Sequence, residues 1–142
     1  MTTVLGSLGQ IVQIVTAIVA VAAVFVGVRQ VRSFGAIEVF KLMQDERVRA
    51  ARRKLYEAAE AAEPPDRDAA ALVCSSMDMM GRLLRRGMAP KKVLLESYAG
   101  TIIKCHKDAA EFMKQSREER KEPTYWSGFD WLDEQAKRIA PP

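Results

Sequence analysis

The chain has 142 residues, of which 49% are hydrophobic and 28% are charged, and its formal net charge is +4. This length leaves room for one compact domain, or a small domain plus an appendage, and the composition excludes a disordered or low-complexity chain. A single histidine and two cysteines exclude a disulfide framework and a metal site built from Cys and His clusters.

The N-terminal part of the chain is uncharged, since no Lys, Arg, Asp or Glu occurs before Arg29. Within it, residues 11–28 have only Gln13 and Thr16 as polar side chains, and as an α-helix they would span roughly 27 Å, close to the thickness of a bilayer core. A secretory signal peptide would instead carry positive charge before a shorter apolar run. A buried helix of a soluble domain would need two flanking layers that so small a domain hardly supplies. The pattern therefore predicts a transmembrane helix.

Basic residues lie only on the C-terminal side of this run, beginning with Arg29 and Arg32. The positive-inside rule therefore predicts a single-pass protein with its N-terminus outside and its C-terminal domain in the cytoplasm. Cys74 and Cys105 would then occupy a reducing compartment, where we expect buried thiols rather than a disulfide.

One face of the predicted membrane helix consists of small and polar residues, which we call the small-residue seam. Its members recur at alternating spacings of three and four and so share one stripe, while bulky Ile, Val and Phe side chains cover the other faces. Small residues let two helices approach closely, and Gln13 would find a hydrogen-bond partner across that contact. We predict contact with other transmembrane helices, in a homo-oligomer or a larger membrane complex; the alternative is that Ala and Gly are simply common in such helices. The seam comprises Gly6, Gly9, Gln13, Thr16, Ala20, Ala23 and Gly27.

Beyond Arg32 the helical period continues, but charged side chains cover the other faces. The pattern predicts an amphipathic helix of about eight turns that continues from the membrane helix with at most a bend at residues 33–35. Pro65 ends it, because proline disfavours helix at the preceding residue. Its apolar stripe is Ile37, Phe40, Val48, Ala51, Leu55 and Ala58.

Three further helices are predicted. The first runs from about residue 67 to residue 86, with Asp66 as its N-cap and Gly87 as its C-cap. The second follows Pro90 and has Gly100 as a candidate break, and the third is capped by Ser127.

The predicted fold is all-α, with no alternation typical of strands. It consists of an N-terminal segment with one transmembrane helix in residues 1–32, and a cytoplasmic bundle of about four helices in residues 33–142. The expected core of the bundle is Phe40, Leu55, Met77, Leu84, Tyr98, Ile102, Phe112, Phe129 and Leu132.

Three segments that follow the hydrophobic anchor resemble a known bacterial family. They are AIEVFKLMQDERVRAARRKLYE, MDMMGRLLRRGMAPKKVLLESYAGTIIK and YWSGFDWLDEQAKR. Over residues 36–138 the chain resembles the family of domains of unknown function DUF4760. The resemblance implies a small helical domain tethered to the inner membrane behind one transmembrane helix, and it supplies no catalytic residues.

The sequence carries none of the common catalytic motifs, such as a Gly-rich phosphate loop, HExxH, a paired-cysteine motif or a nucleophile elbow. His106 follows Cys105 directly, but neighbours on a helix point about 100° apart, so we expect a partly exposed His beside a buried Cys rather than a dyad. Asp78 lies among methionines and is expected to face solvent or to pair with Arg82. We therefore predict a non-catalytic protein without a cofactor or a metal.

A cluster of basic residues surrounds the predicted turn between the helix of residues 67–86 and the helix that follows Pro90, with no acidic residue among them. Near a membrane this basic corner would contact anionic lipid headgroups or an acidic partner, and the alternative is a solvated turn. Nucleic acid is not expected, because the net charge is modest and no aromatic residues interleave with the basic ones. The basic corner comprises Arg82, Arg85, Arg86, Lys91 and Lys92.

Two functions fit these features. The first is an accessory or scaffold subunit of a membrane complex, which associates through the small-residue seam and presents a cytoplasmic helical docking domain for protein–protein interaction. The second is a membrane-tethered regulator or sensor that binds an acidic partner or anionic lipid through the basic corner.

Overall fold

The computed structural model describes the backbone of residues 2–140 and the side chains of residues 8–140. Over this part of the chain it contains helices and no strands, which confirms the predicted all-α class. One of the seam residues, Gly6, lies outside the residues whose side chains are described. The helices are α1 (Thr2–Gln44), α2 (Glu46–Glu60), α3 (Arg67–Arg85), α4 (Lys91–Arg120) and α5 (Ser127–Ile139).

Helix α1 near the N-terminus is long and apolar enough to cross a membrane. The predicted continuity across residues 33–35 is confirmed, because α1 continues without interruption to Gln44. The helix ends before Asp45, whose extended ψ of 131° stops α1 and whose carboxylate accepts the backbone N–H groups of Arg47 and Val48 at 2.9 and 3.2 Å. This N-cap starts α2, so the predicted eight-turn helix is in fact two helices.

The last third of α1 belongs to the bundle. Gly35, Val39 and Met43 are buried there, one turn apart, whereas Phe40 is 39% exposed. The prediction that Phe40 and Tyr98 lie in the core is therefore wrong: Tyr98 is half-buried, and the two rings pack on each other at the surface with centroids 5.8 Å apart. On α1 the predicted apolar stripe lies one residue away from the face that the bundle covers.

Helices α2 to α5 pack around one core, to which α1 contributes Val39 and Met43. The large side chains at its centre come from all four of these helices. Seven of the nine expected core residues are buried, namely Leu55, Met77, Leu84, Ile102, Phe112, Phe129 and Leu132.

Two contacts fix the direction of α4 relative to α1. The turn before α4 lies against Gly35, where a Cβ would overlap the carbonyl oxygen of Met88, and further along both helices Gln44 donates to the Tyr98 hydroxyl at 3.4 Å. Helices α1 and α4 therefore run the same way, while α3 runs back from Arg67, which pairs with Glu119. The turn between α3 and α4 thus lies at the end of the bundle nearest the apolar part of α1.

Three local features differ from the sequence predictions. The C-cap of α3 is Arg86, and Gly87 follows it with φ +71°, donating to Leu84 in a turn that glycine tolerates best. Gly100 does not break α4, which is continuous. Trp126, not Ser127, is the N-cap of α5; its φ is 60° and it supplies no side-chain hydrogen bond.

Candidate functional site

The small-residue seam lies on an exposed side of α1 from Gly9 onward. A Cβ added at Gly9 or Gly27 would meet no atom within 4 Å, so this face is open along the apolar length of the helix. Gln13 is exposed, and the Thr16 hydroxyl donates to the Val12 carbonyl at 2.8 Å, within its own helix.

The spacing of the seam continues beyond the apolar run. From Gly27 the next steps of three, four and three residues reach Gln30, Phe34 and Ile37, and the last two are 65% and 49% exposed. The bundle packs on another side of α1, since Val39 is rotated about 140° from Phe34. Sequence reasoning missed Phe34 and placed Ile37 on the core stripe; extending the seam's spacing past Gly27 would have found both.

The basic corner lies against α1 just beyond its apolar segment. Arg32 donates through Nε to the carbonyl oxygen of Gly87 at 3.2 Å, and Gly35 abuts Met88. The sequence predicted neither contact, because more than fifty residues separate the partners. The corner is therefore held beside the point where α1 leaves its uncharged run.

The five residues of the basic corner are exposed but differ in what they contact. Arg82 forms an ion pair with the buried carboxylate of Asp78 at 2.9 Å, and Lys92 lies 3.9 Å from Glu96. Lys91 lies over the ring of Trp131, with its ammonium 5.3 Å from the ring centroid. Arg85 and Arg86 occupy the last turn and the C-cap of α3, where positive charge complements the helix dipole.

Asp78 connects α3 to the start of α5. It pairs with Arg82 as expected, but it is buried rather than facing solvent, and its Oδ1 accepts the backbone N–H of Gly128 at 2.8 Å. Gly81 and Gly128 allow this approach, since a Cβ at Gly81 would overlap the carbonyl oxygen of Gly128. Asp78 thus caps the helix end for which Trp126 has no side-chain acceptor.

His106 joins α4 to α5. Its Nε2 lies 2.8 Å from Oδ1 of Asp130, and its Nδ1 lies 3.4 Å from Oδ2 of Asp133. The same Asp130 also binds the guanidinium of Arg117 at 2.6 Å. The histidine is half-buried, as expected, and its contacts link the two helices.

The thiol next to His106 points elsewhere. Cys105 is buried, and its Sγ lies 3.1 Å from the hydroxyl of Tyr56 on α2, so the expected divergence of the two neighbours is confirmed. Burial raises the pKa of Cys105 to about 11 and that of Cys74 to about 12. Both thiols are therefore protonated at neutral pH and are poor nucleophiles.

One cavity of the bundle, of about 440 Å³, lies between the loop before α3 and the middle of α4. Two of the charged side chains that line it, Asp108 and Arg67, form ion pairs. Asp108 lies 3.4 Å from Lys104, and Arg67 binds both carboxylate oxygens of Glu119 at 3.3 and 2.7 Å. Among the described residues, no group of three or more His, Cys, Asp or Glu side chains is arranged to hold a metal ion.

Comparison with protein families gives one match over most of the chain. Residues 10–135 match the family described as Domain of unknown function (DUF4760), from the apolar part of α1 into α5, and the chain belongs to this family. Comparisons with curated proteins and with solved structures give no significant match.

Proposed function

We propose that this member of the DUF4760 family is a non-catalytic, single-pass membrane protein that serves as an accessory or scaffold subunit. In this proposal α1 crosses the inner membrane of a bacterium with its N-terminus outside, and the bundle lies in the cytoplasm. The seam joins α1 to other transmembrane helices, and the bundle offers a docking surface. The observation that carries the proposal concerns α1: its apolar segment is exposed, while the C-terminal part of the same continuous helix packs in the bundle.

The apolar length of α1 supports insertion into a bilayer. Its large side chains from Leu8 to Val28 are half or more exposed, with Phe25 at 70%. A continuous apolar surface of this size is unusual on a soluble monomer. Placing it in hydrocarbon would recover roughly 25 cal/mol for each Å² removed from water.

The exposed seam supports association of α1 with other helices. Gly9, Ala20 and Gly27 provide little bulk, so a second backbone could approach closely, and the amide of Gln13 would gain a hydrogen bond there. Phe34 and Ile37 extend the same stripe outside the apolar run, where large side chains rather than small ones would make the contact. Such a continuous stripe suits a helix that pairs both inside and just outside a membrane.

The geometry around Cys105 and His106 supports a non-catalytic role. The thiol is protonated and directed at Tyr56, and the imidazole lies between the carboxylates of Asp130 and Asp133. A nucleophile and its base would have to converge on one point.

The experiment is native extraction of the full chain from bacterial membranes in mild detergent, followed by mass measurement of the intact assembly. We expect a stoichiometric complex, either of several copies or with a larger membrane partner. A monomer under conditions that keep known membrane complexes together would contradict the subunit proposal.

A further inference from the structure

We propose that the basic corner binds the anionic phospholipid surface of the membrane that α1 crosses. This contact would hold the bundle at one orientation beside the membrane. The inference deepens the proposed function and rests on its claim that α1 spans the bilayer.

The first argument is the height of the corner above the membrane. Arg32, which contacts Gly87, follows Val28 by four residues, or roughly 6 Å along the helix, and Gly35, which contacts Met88, follows it by roughly 10 Å. The headgroup layer on each side of a bilayer is about 5 to 8 Å thick. If the hydrocarbon ends near Val28, the corner is therefore level with the headgroups or just above them.

The second argument is the charge that faces this layer. Arg85, Arg86, Lys91 and Lys92 are exposed, and Arg29 and Arg32 add two more positive charges from α1. The nearby carboxylates of Asp78 and Glu96 pair with Arg82 and Lys92. Net positive charge therefore remains at the corner.

The third argument is that the helix dipoles favour only two of the four exposed positive charges on either side of the turn. Arg85 and Arg86 complement the negative end of α3, but Lys91 and Lys92 begin α4, where the helix dipole favours acidic residues. The first turn of α4 has no acidic residue, and its N-cap Pro90 makes no side-chain hydrogen bond. Positive charge at both the end of α3 and the start of α4 is suited to binding an external anionic surface.

An apolar side chain accompanies the charges. Met88 lies at the tip of the corner between Arg86 and Lys91 and is 39% exposed. Basic residues combined with exposed apolar ones are typical of surfaces that rest in the headgroup region of a membrane. A bilayer offers both contacts at this height, since its headgroups face the charges and its upper acyl region can take the apolar tip.

The experiment uses the full chain in nanodiscs made either of phosphatidylcholine alone or of phosphatidylcholine with phosphatidylglycerol. A fluorophore on Met88→Cys reports contact through quenching by a spin label attached to lipid headgroups. Cys74 and Cys105 can remain, because both are fully buried and protonated. We expect stronger quenching in the anionic nanodiscs, and equal quenching in the two lipids would overturn the proposal.

Charge variants identify the surface that is responsible. Each basic residue near an anionic membrane favours the bound state by up to about fivefold, so Arg85→Gln with Arg86→Gln should lower the ratio of docked to undocked bundle by up to about 25-fold. Lys107→Gln with Lys114→Gln is the matched control, because these exposed lysines lie more than ten residues further along α4. An equal loss in both variants would overturn the proposal, because net charge and not the basic corner would then be responsible. If the variants did not fold, the comparison of the two lipids for the unsubstituted corner would still decide.

Two further measurements separate the possible failures. A fluorophore on Val19→Cys should be quenched by a spin label on the acyl chains in both lipids. If it is quenched while the corner shows no lipid dependence, only the lipid contact fails; if it is not quenched, the membrane span and the proposed function fail with it. Release of the corner by inorganic phosphate, but not by chloride of equal ionic strength, would overturn membrane binding in favour of a discrete phosphate site.

Discussion

The carbonyl oxygen of Met88 packs directly against Gly35, at a position where any side chain on α1 would overlap it. Backbone meets backbone at this point, and Arg32 adds a hydrogen bond to Gly87 one turn earlier. The apolar helix and the bundle are thereby joined by more than the chain that connects them, so the position of the bundle is coupled to that of α1.

A side chain at Gly35 should weaken this junction. Gly35→Val would force the turn at Met88 away from α1, and overpacking of this kind costs about 1 to 3 kcal/mol. Gly100→Ala is the control, because a Cβ there meets no atom within 4 Å and alanine favours helix. Unfolding of the full chain in detergent by urea would measure both, and equal stability of the two variants would contradict the close contact.

Removal of the Asp78 carboxylate should destabilise the start of α5. Asp78→Ala loses the bond to the Gly128 N–H, and losing a helix cap costs about 0.5 to 2 kcal/mol. Asp78→Asn should cost less, since its side-chain oxygen can still accept that hydrogen bond. Hydrogen exchange of α5 would locate the effect, and unchanged protection in Asp78→Ala would argue against the capping role.

Truncation of a core side chain should cost far more than truncation of an exposed one. Leu84→Ala removes a side chain from the interface of α3 with the rest of the bundle, and such changes cost about 2 to 5 kcal/mol. Met79→Ala on the same helix should have little effect, because Met79 is exposed. Urea unfolding would measure the free energy of unfolding of both variants. Equal values would mean that Leu84 does not belong to the core.

Stability should fall as the pH rises above about 9. Burial raises the pKa of Cys105 from its ordinary 9.0 to about 11, so between these values the unfolded chain releases a proton that the folded chain keeps. Fewer protons on the unfolded state mean that stability decreases with rising pH. Between pH 8 and pH 11, the free energy of unfolding should decrease less in Cys105→Ala than in the unsubstituted chain. Identical decreases would mean that the thiol ionises as freely in the folded chain as in the unfolded one.

Bulk on the seam should weaken association without releasing the protein from the membrane. Gln13→Leu with Ala20→Ile removes the polar group and the space for close approach while making α1 more apolar. Ala22→Ile is the control, because residue 22 is rotated about 180° from Gln13 and so lies away from the seam. Native mass measurement should show smaller assemblies only for the seam variant, and unchanged assemblies would mean that the seam makes no helix contact.

Membrane insertion itself can be checked by extraction. Apolar insertion does not depend on charge, so carbonate and high-salt washing should leave the protein with the membranes. Release by either treatment would mean that α1 does not span the bilayer.

The sequence alone determined the features that depend on neighbours along the chain. The uncharged stretch before Arg29 predicted a helix long and apolar enough to span a membrane. The helical period predicted the further helices, and Asp66 predicted the start of α3. Helix propensity, capping and hydrophobic period act over a few residues, so they can be read without knowledge of the fold.

Which faces are covered and which side chains meet depends on the packing of the helices. It placed Val39 rather than Phe40 in the core, and it brought Asp78 to Gly128 fifty residues away. It also set the basic corner against α1 through Arg32 and Gly87. These outcomes depend on how helices distant in sequence pack together, because an amphipathic stripe indicates that a face is buried but not which partner buries it.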